Sequence, residues 1–314
     1  MSDGRVGMMA RQAGCLRLLT WNIQQGGGKR WPRIAEYVRR QGADVVVLTE
    51  FHPASGHDLR VRLAMIGLVY QVAAATSGND NSILVASTTP LERVEGRLSL
   101  HGLPPETCER LQRRWLDLRL PAWTLPGAPS NGHEPASLCL GGVHAPAADG
   151  PIPIARRPRL EHETDCFWGA LRPVLQRRLG TPYVLIGDLN TGLALDQHIA
   201  GISDDAAFHG ARHVAGLRDR GWLDAWRHLH GERQEYTWRH GHSGGWRLDG
   251  AWLSPALRHT LIAARHRHAA RRPYIVTDRG VTRAQRLSDH SALVVDIQAT
   301  CLDDVAVPFP TTLF

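Results

Sequence analysis

Eight polar residues stand at or beside the ends of short apolar runs, and together they hold the groups that hydrolysis of a phosphate ester requires. Asn22 closes LRLLTWN, Glu50 closes VVVLTE, His144 closes LCLGGVH, and Asp188 and Asn190 close YVLIGDLN. Asp249 lies within WRLDGAWLS, and Asp289 and His290 immediately precede SALVVDI. Glu50, Asp289 and Asn22 offer hard oxygen ligands, which suit Mg²⁺, with Mn²⁺ as a substitute, and do not suit zinc. Asp188 and His290 can hold or deprotonate a water, and Asp249 can accept from His290 and fix its tautomer. Asn190 and His144 can donate to a phosphate oxygen as negative charge builds on it. These are the parts of an in-line attack by water: a positioned nucleophile, charge neutralisation and help for the leaving oxygen. Taken singly, an Asn after a strand usually serves a turn, and a Glu there caps a segment or meets solvent. The inference rests on the set.

Strands must carry these residues, and the sequence supplies them. The apolar, β-branched runs Leu16–Ile23, Asp44–Glu50, Val69–Ala75, Asn81–Ser87, Arg114–Leu120, Leu138–His144, Tyr183–Asn190, Trp246–Ser254 and Ser291–Ala299 read as strands. Asp44–Glu50 is a continuous valine run, as expected of a strand buried on both faces. Helical spacing predicts helices over Trp31–Gln41, Leu160–Leu179 and Phe208–Arg220, with Pro173 expected to kink the second or move its start. Pro121–Ala136 reads as a surface loop, and the basic stretch Ala264–Arg272 as a solvated face. Strands spread along the whole chain favour one α/β unit over residues 15–300, between a flexible leader (1–14) and a C-terminal tail (301–314).

Bulk properties narrow the function further. A hydrophobic fraction of 43% over 314 residues supports a large core, and 21% charged residues excludes compositional disorder. Lys and Arg exceed Asp and Glu by 37 to 30, almost entirely through arginine. That balance suits a polyanionic partner such as nucleic acid, although a GC-rich genome yields the same bias. The five cysteines are odd in number and form no C-x-x-C pair, which argues against a disulfide framework or zinc knuckle and for a reducing, cytoplasmic setting. No run reaches the roughly 18 apolar residues of a membrane span, and the start of the chain has no secretory apolar region. No protein partner is inferable, and a monomer is expected.

TWN, LTE, GDLN, RLD and SDH, in this order on apolar strands, resemble the endonuclease/exonuclease/phosphatase superfamily from about Leu16 to Ala299. The resemblance implies a four-layer α/β sandwich, two facing mixed β-sheets flanked by helices, with the site at one end of the sheets. It implies metal-site roles for Asn22 and Glu50, and a nucleophile-positioning and phosphate-contacting pair in Asp188 and Asn190. Asp289 and His290 match the closing pair, with Asp249 as the carboxylate that supports the histidine. Asn81, in NDNSILVAS, resembles the family's strand before a small-residue turn and joins the candidate substrate contacts.

Two branches of the superfamily are represented. DAWRHLHG, YTW and GWRLDGAWLS are similar to abasic-site endonucleases of the exonuclease III type, and Trp238, Trp246 and Leu248 match positions lining the abasic-sugar pocket there. Such residues on strands more often belong to the core. His144 in GVHAPA instead resembles the deoxyribonuclease I and sphingomyelinase-like branches, and Gln24, Thr49 and Gly250 depart from the abasic-endonuclease pattern. The leading expectation is a metal-dependent nuclease acting on DNA. The alternative is a hydrolase of small-molecule or lipid phosphoesters, sphingomyelinase-like or phosphoinositide phosphatase-like. A non-catalytic module is disfavoured because every acid and histidine of the set is present.

Overall fold

Alternation along the strands dictates the layering. In the valine run, Val45 and Val47 face one core while Val46 and Leu48 face another, and Leu16 and Leu18 divide from Leu19 and Trp21 in the same way. A strand with two apolar faces needs cover on both sides, so each sheet packs on its neighbour and on helices. The computed structural model describes residues 14–94, 96–126, 137–148, 154–199, 208–239, 244–278 and 281–302. The expected leader, residue 14 apart, and most of the expected tail lie outside these residues.

One large sheet contains β1 (Cys15–Asn22), β2 (Val45–Phe51), β3 (Tyr70–Ala73), β4 (Ser82–Ser87), β14 (Leu261–Arg267) and β17 (Ala292–Gln298), in the order β14-β17-β1-β2-β4-β3. The other contains β6 (Trp115–Thr124), β7 (Ser137–His144), β8 (Tyr183–Asp188), β10 (Leu223–Asp224), β13 (Asp249–Leu253) and β18 (Thr300–Cys301), in the order β10-β13-β8-β7-β6-β18, with β5 (Glu92–Arg93) beside β6. Both are mixed: β1–β2 and β7–β8 are parallel, and the other pairs are antiparallel. Helices α1 (Trp31–Gln41) and α2 (His57–Met65) cover the first sheet through Ile34, Tyr37, Val38, Leu59 and Leu63. Helices α4 (Arg157–Arg177) and α5 (Ala211–Asp219) cover the second through Phe167, Leu171, Val174 and Leu217. Two shorter helices, α3 (Pro105–Gln112) and α6 (Ala225–His230), complete the set, and no described helix is long and apolar enough to cross a membrane. The four-layer sandwich of two facing mixed sheets is therefore present.

Several local expectations are corrected. The stretch read as a loop from Pro121 continues as strand to Thr124, which pairs with Ser137. The register shifts between Leu120 and Thr124, where a proline without an N–H is tolerated. Helix α4 begins at Arg157 and continues past Pro173, which lies on its exposed side while Phe167, Leu171 and Val174 hold it to the sheet. The basic stretch from Ala264 is not simply a solvated face: Leu261–Arg267 forms an edge strand, and Ala263, Ala264 and Ala270 are buried.

The run Trp246–Ser254 breaks in two. Trp246 ends β12 (Gly244–Trp246), which joins β9 (Gln197–Ile199) and β11 (Trp238–Arg239) in a small sheet, and Asp249 starts β13. Between them Arg247 turns inward. Its Nε donates to Asp196 Oδ1 at 2.8 Å, and its Nη2 donates to Asp196 Oδ2 at 3.0 Å and to Asp224 Oδ2 at 2.6 Å. Asp224 also caps α6 by accepting from Trp226 N and Arg227 N. A buried guanidinium between two buried carboxylates fixes the backbone two residues ahead of Asp249. Arg247→Ala is expected to cost about 3 kcal/mol, the low end for a broken buried ion pair, because Asp224 loses its guanidinium while Asp196 keeps that of Arg227. Urea unfolding of the variant beside the parent measures this.

Candidate active site

Strand register brings the polar residues to one end of both sheets. His144 and Asp249 lie opposite Asp188 on its two neighbouring strands, and Asn22 lies opposite Thr49, one residue before Glu50. The backbone there is unusual. Glu50 has φ 57° and sits at a register shift in β2, and Asn190 has φ 47°. A non-glycine residue in the left-handed region costs energy, so such positions cluster where geometry serves function. Gln24 and Gln25, at φ 56° and 50°, turn the chain so that Gln25 N donates to Glu50 Oε2 at 2.7 Å.

Asn22 joins the two sheets. Its Nδ2 donates to Glu50 Oε1 at 3.0 Å and to Asp188 Oδ2 at 2.9 Å, and its Oδ1 accepts from Gln24 N. Asp188 Oδ1 accepts from Asn190 N at 3.0 Å, and Asn190 Nδ2 donates to Ala145 O at 2.8 Å, leaving a second amide hydrogen. His144 Nε2 lies 3.9 Å from Asp188 Oδ2. His290 Nδ1 bonds Asp249 Oδ2 at 2.9 Å, and Ser288 ties this turn to β1 by donating from Oγ to Asn22 O at 2.6 Å. The indole of Trp238 donates to Asp289 Oδ2 at 3.3 Å. Ligand atoms of Asp188, Asp249 and His290 lie within 4.8 Å of one another.

Not every candidate reaches this cluster by a bond of its own. Asn81 Oδ1 meets His52 Nε2 at 2.9 Å, outside the eight residues. Trp246 and Leu248 are buried with Phe208 in a small apolar cluster against which Trp238 packs, its ring 5.2 Å from that of Trp246.

Other residues in the site were not singled out in the sequence. Arg114 Nη1 lies 3.3 and 3.4 Å from the ring nitrogens of His144, and its buried Nε has no hydrogen-bond partner among the described residues. Burial and Arg110 pull its pKa down to about 10, against the opposing pull of Glu50 and Asp188. Nothing in RRW separates Arg114 from Arg113 before the fold is known. Thr237, in YTW, accepts at Oγ1 from Leu248 N at 2.9 Å and Asp249 N at 3.1 Å, and so holds Asp249 in place.

The electrostatics divide the labour. Burial, reinforced by the Asp249 carboxylate, pushes Asp188 up to about 7. Burial pulls His290 down, but Asp249 and Asp188 outweigh it and hold the imidazole at about 10. His144 lies well below its usual value through burial, with Arg114 and His290 adding to the effect. At neutral pH His290 is therefore a cation, His144 is neutral, and Asp188 stands near its midpoint, able to accept a proton in its ionised form. A base must be ionised, so activity falls as pH drops through about 7. An acid must be protonated, so activity falls again as pH rises through about 10. A kcat/KM profile with these two limbs is expected, the acid limb moving lower when a cation sits beside Asp188.

The donor set fits a hard divalent cation. Glu50, Asp188 and Asp289 are oxygen donors, and buried Asp249 Oδ1 has no hydrogen-bond partner among the described residues.

The sequence matches the endonuclease/exonuclease/phosphatase family over residues 19–290, and the chain belongs to that family of metal-dependent phosphoester hydrolases. No curated protein matches the sequence. Among solved structures, the 3′-5′ exonuclease NExo of Neisseria meningitidis superposes with TM-score 0.62 at 19% identity, over 90% of this chain and 100% of that one. An AP endonuclease of Archaeoglobus fulgidus gives TM-score 0.62 at 17% identity, over 89% of this chain and 98% of that one. An AP endonuclease of Leishmania major gives TM-score 0.63 at 17% identity, over 90% and 88%. At these identities the likeness is one of fold.

Proposed function

We propose that the chain is a Mg²⁺- or Mn²⁺-dependent nuclease that hydrolyses DNA phosphodiester bonds by in-line attack of water. The observation that carries this reading is the continuous link Glu50–Asn22–Asp188, with the His290–Asp249 pair beside it. Glu50, with Asn22 or Asp289 completing or supporting the shell, would hold the divalent cation, which would supply charge neutralisation at the phosphate. Asp188 orients the attacking water and takes its proton. His290, cationic and fixed by Asp249, stabilises the charge that develops and can return a proton to the leaving oxygen. Asn190 and His144 donate to the phosphate oxygens, with Arg114 behind the His144 ring. Trp238, half-buried beside Asp289, offers a face to a sugar or base, with Trp246 and Leu248 beneath it, and Asn81, just before β4 and bonded to His52, is a further candidate contact.

The formal charge of +7 favours a polyanion, and the similar structures are those of an exonuclease and of AP endonucleases. His144 beside Asp188 favours the second reading, a small-molecule or lipid phosphoesterase, because that histidine is the feature resembling the sphingomyelinase-like branch. Digestion of plasmid, abasic duplex, single-stranded DNA and bis(p-nitrophenyl) phosphate side by side, with Mg²⁺ or Mn²⁺, tests the choice. Cleavage of a DNA substrate that weakens steeply with salt supports the nuclease. Indifference to salt, with turnover of the small ester alone, overturns it.

A further inference from the structure

Seven arginines and one acid, Asp278, occupy residues 264–286, and the segment ends just before Ser288 of the site. Its centre is a hairpin of β15 (Tyr274–Asp278) and β16 (Val281–Gln285) that pairs with neither large sheet. Ile275, Thr277, Thr282 and Ala284 are exposed along one face. On the other face the guanidinium of Arg33 lies 4.4 Å from the centre of the Tyr274 ring, which seats the hairpin against the start of α1. Arg272, Arg283 and Arg286 are exposed.

Arg271, at the base of the hairpin, is partly buried. Its Nη2 meets His268 Nδ1 at 3.0 Å, but its buried Nε and Nη1 have no hydrogen-bond partner among the described residues. Burial lowers its pKa, and the nearby charges of Arg239 and Arg286 lower it further, against the pull of Glu235 and Asp249. Arg239 follows Trp238, whose backbone bridges to His290. Three guanidinium groups thus crowd one edge of the site, and one of them holds donors that lack acceptors. Buried donors in a cationic cluster fit an anion supplied from outside.

We propose that Arg239, Arg271, Arg272, Arg283 and Arg286 form an extension of the cleft that holds non-scissile phosphates of a nucleic-acid strand. The proposal rests on the nucleic-acid reading above. Cations spread over β11, the turn at Arg271 and the hairpin match a chain of successive phosphates, whereas a single headgroup offers one or two. Such contacts supply affinity and register without reading sequence.

The test is equilibrium binding of a fluorescein-labelled DNA duplex, without divalent metal, across a range of salt concentrations. The full chain is compared with Arg272→Gln/Arg283→Gln/Arg286→Gln and with the corresponding triple Arg→Lys variant. The Gln variant is expected to bind on the order of 10-fold or more weakly at low salt, with a slope of log K against log salt shallower by about 2–3. The Lys variant is expected to keep the parent slope, because charge and not shape sets it. Equal affinity and slope for parent and Gln variant would overturn the extension while leaving the nuclease reading intact. Equal loss in the Gln and Lys variants would also overturn it, by showing that the arginines act through structure. Failure of the parent to bind DNA would overturn the nucleic-acid reading and the extension with it.

Discussion

His290→Ala lowers kcat by about 10²–10⁴-fold if the imidazole works as the site's acid. The side chain is buried, held at Nδ1 by Asp249 Oδ2 at 2.9 Å, and its backbone N donates to Ser288 Oγ at 3.0 Å. Alanine keeps the backbone contact and removes the cationic imidazole that lies against both Asp188 and Asp249. Two buried carboxylates then face each other without that cation. A second signature follows from this: the ionisation of Asp188 becomes harder, and the acid limb of the pH profile moves to higher pH. Asp249→Asn acts in the opposite sense on the other limb, since loss of the negative partner lowers the pKa of His290 and brings the alkaline limb to lower pH. Steady-state kinetics of the variants across pH measure both effects, and full activity in His290→Ala contradicts the assignment.

Glu50→Gln raises the metal concentration needed for half-maximal rate by about 10–100-fold or more, since even outer-shell changes reach that range. Both oxygens of Glu50 already accept hydrogen bonds, Oε1 from Asn22 Nδ2 and Oε2 from Gln25 N. Those donors aim the carboxylate and leave its remaining lone pairs for a cation. An amide of the same shape keeps one acceptor, sets an N–H against a donor, and loses the charge. Rates titrated with Mg²⁺ and Mn²⁺, together with calorimetric binding of the metal alone, check the loss. A variant with unchanged metal dependence removes Glu50 from the metal site.

Much of this site could be read from strand ends. Asn22, Glu50, His144, Asp188 and Asp249 close or open apolar strands whose alternation is explicit in the sequence, and register alone then brings them to one end of the sandwich. The hydrogen-bonded links could not be read there. That Asn22 joins Glu50 to Asp188 depends on how two sheets face each other, a relation between residues 166 positions apart. Arg114 and Thr237 act through contacts across the fold, and their local sequence carries no mark of it. The hairpin at residues 274–285 was missed because an exposed two-stranded ribbon has no buried face to impose a strong alternation, and the arginines around it suggested solvent. Arg247 defeated the expectation of one strand through Trp246–Ser254, since two distant carboxylates draw its side chain inward.

Hydrolysis carried out in H₂¹⁸O with Mg²⁺, followed by mass spectrometry of the cleaved phosphodiester, examines the proposed chemistry at the bond that breaks. Direct attack of an Asp188-oriented water places one ¹⁸O on the product phosphate and none on the released hydroxyl, and chelation of the metal abolishes the reaction. Label on the released hydroxyl, or cleavage that persists without metal, contradicts it.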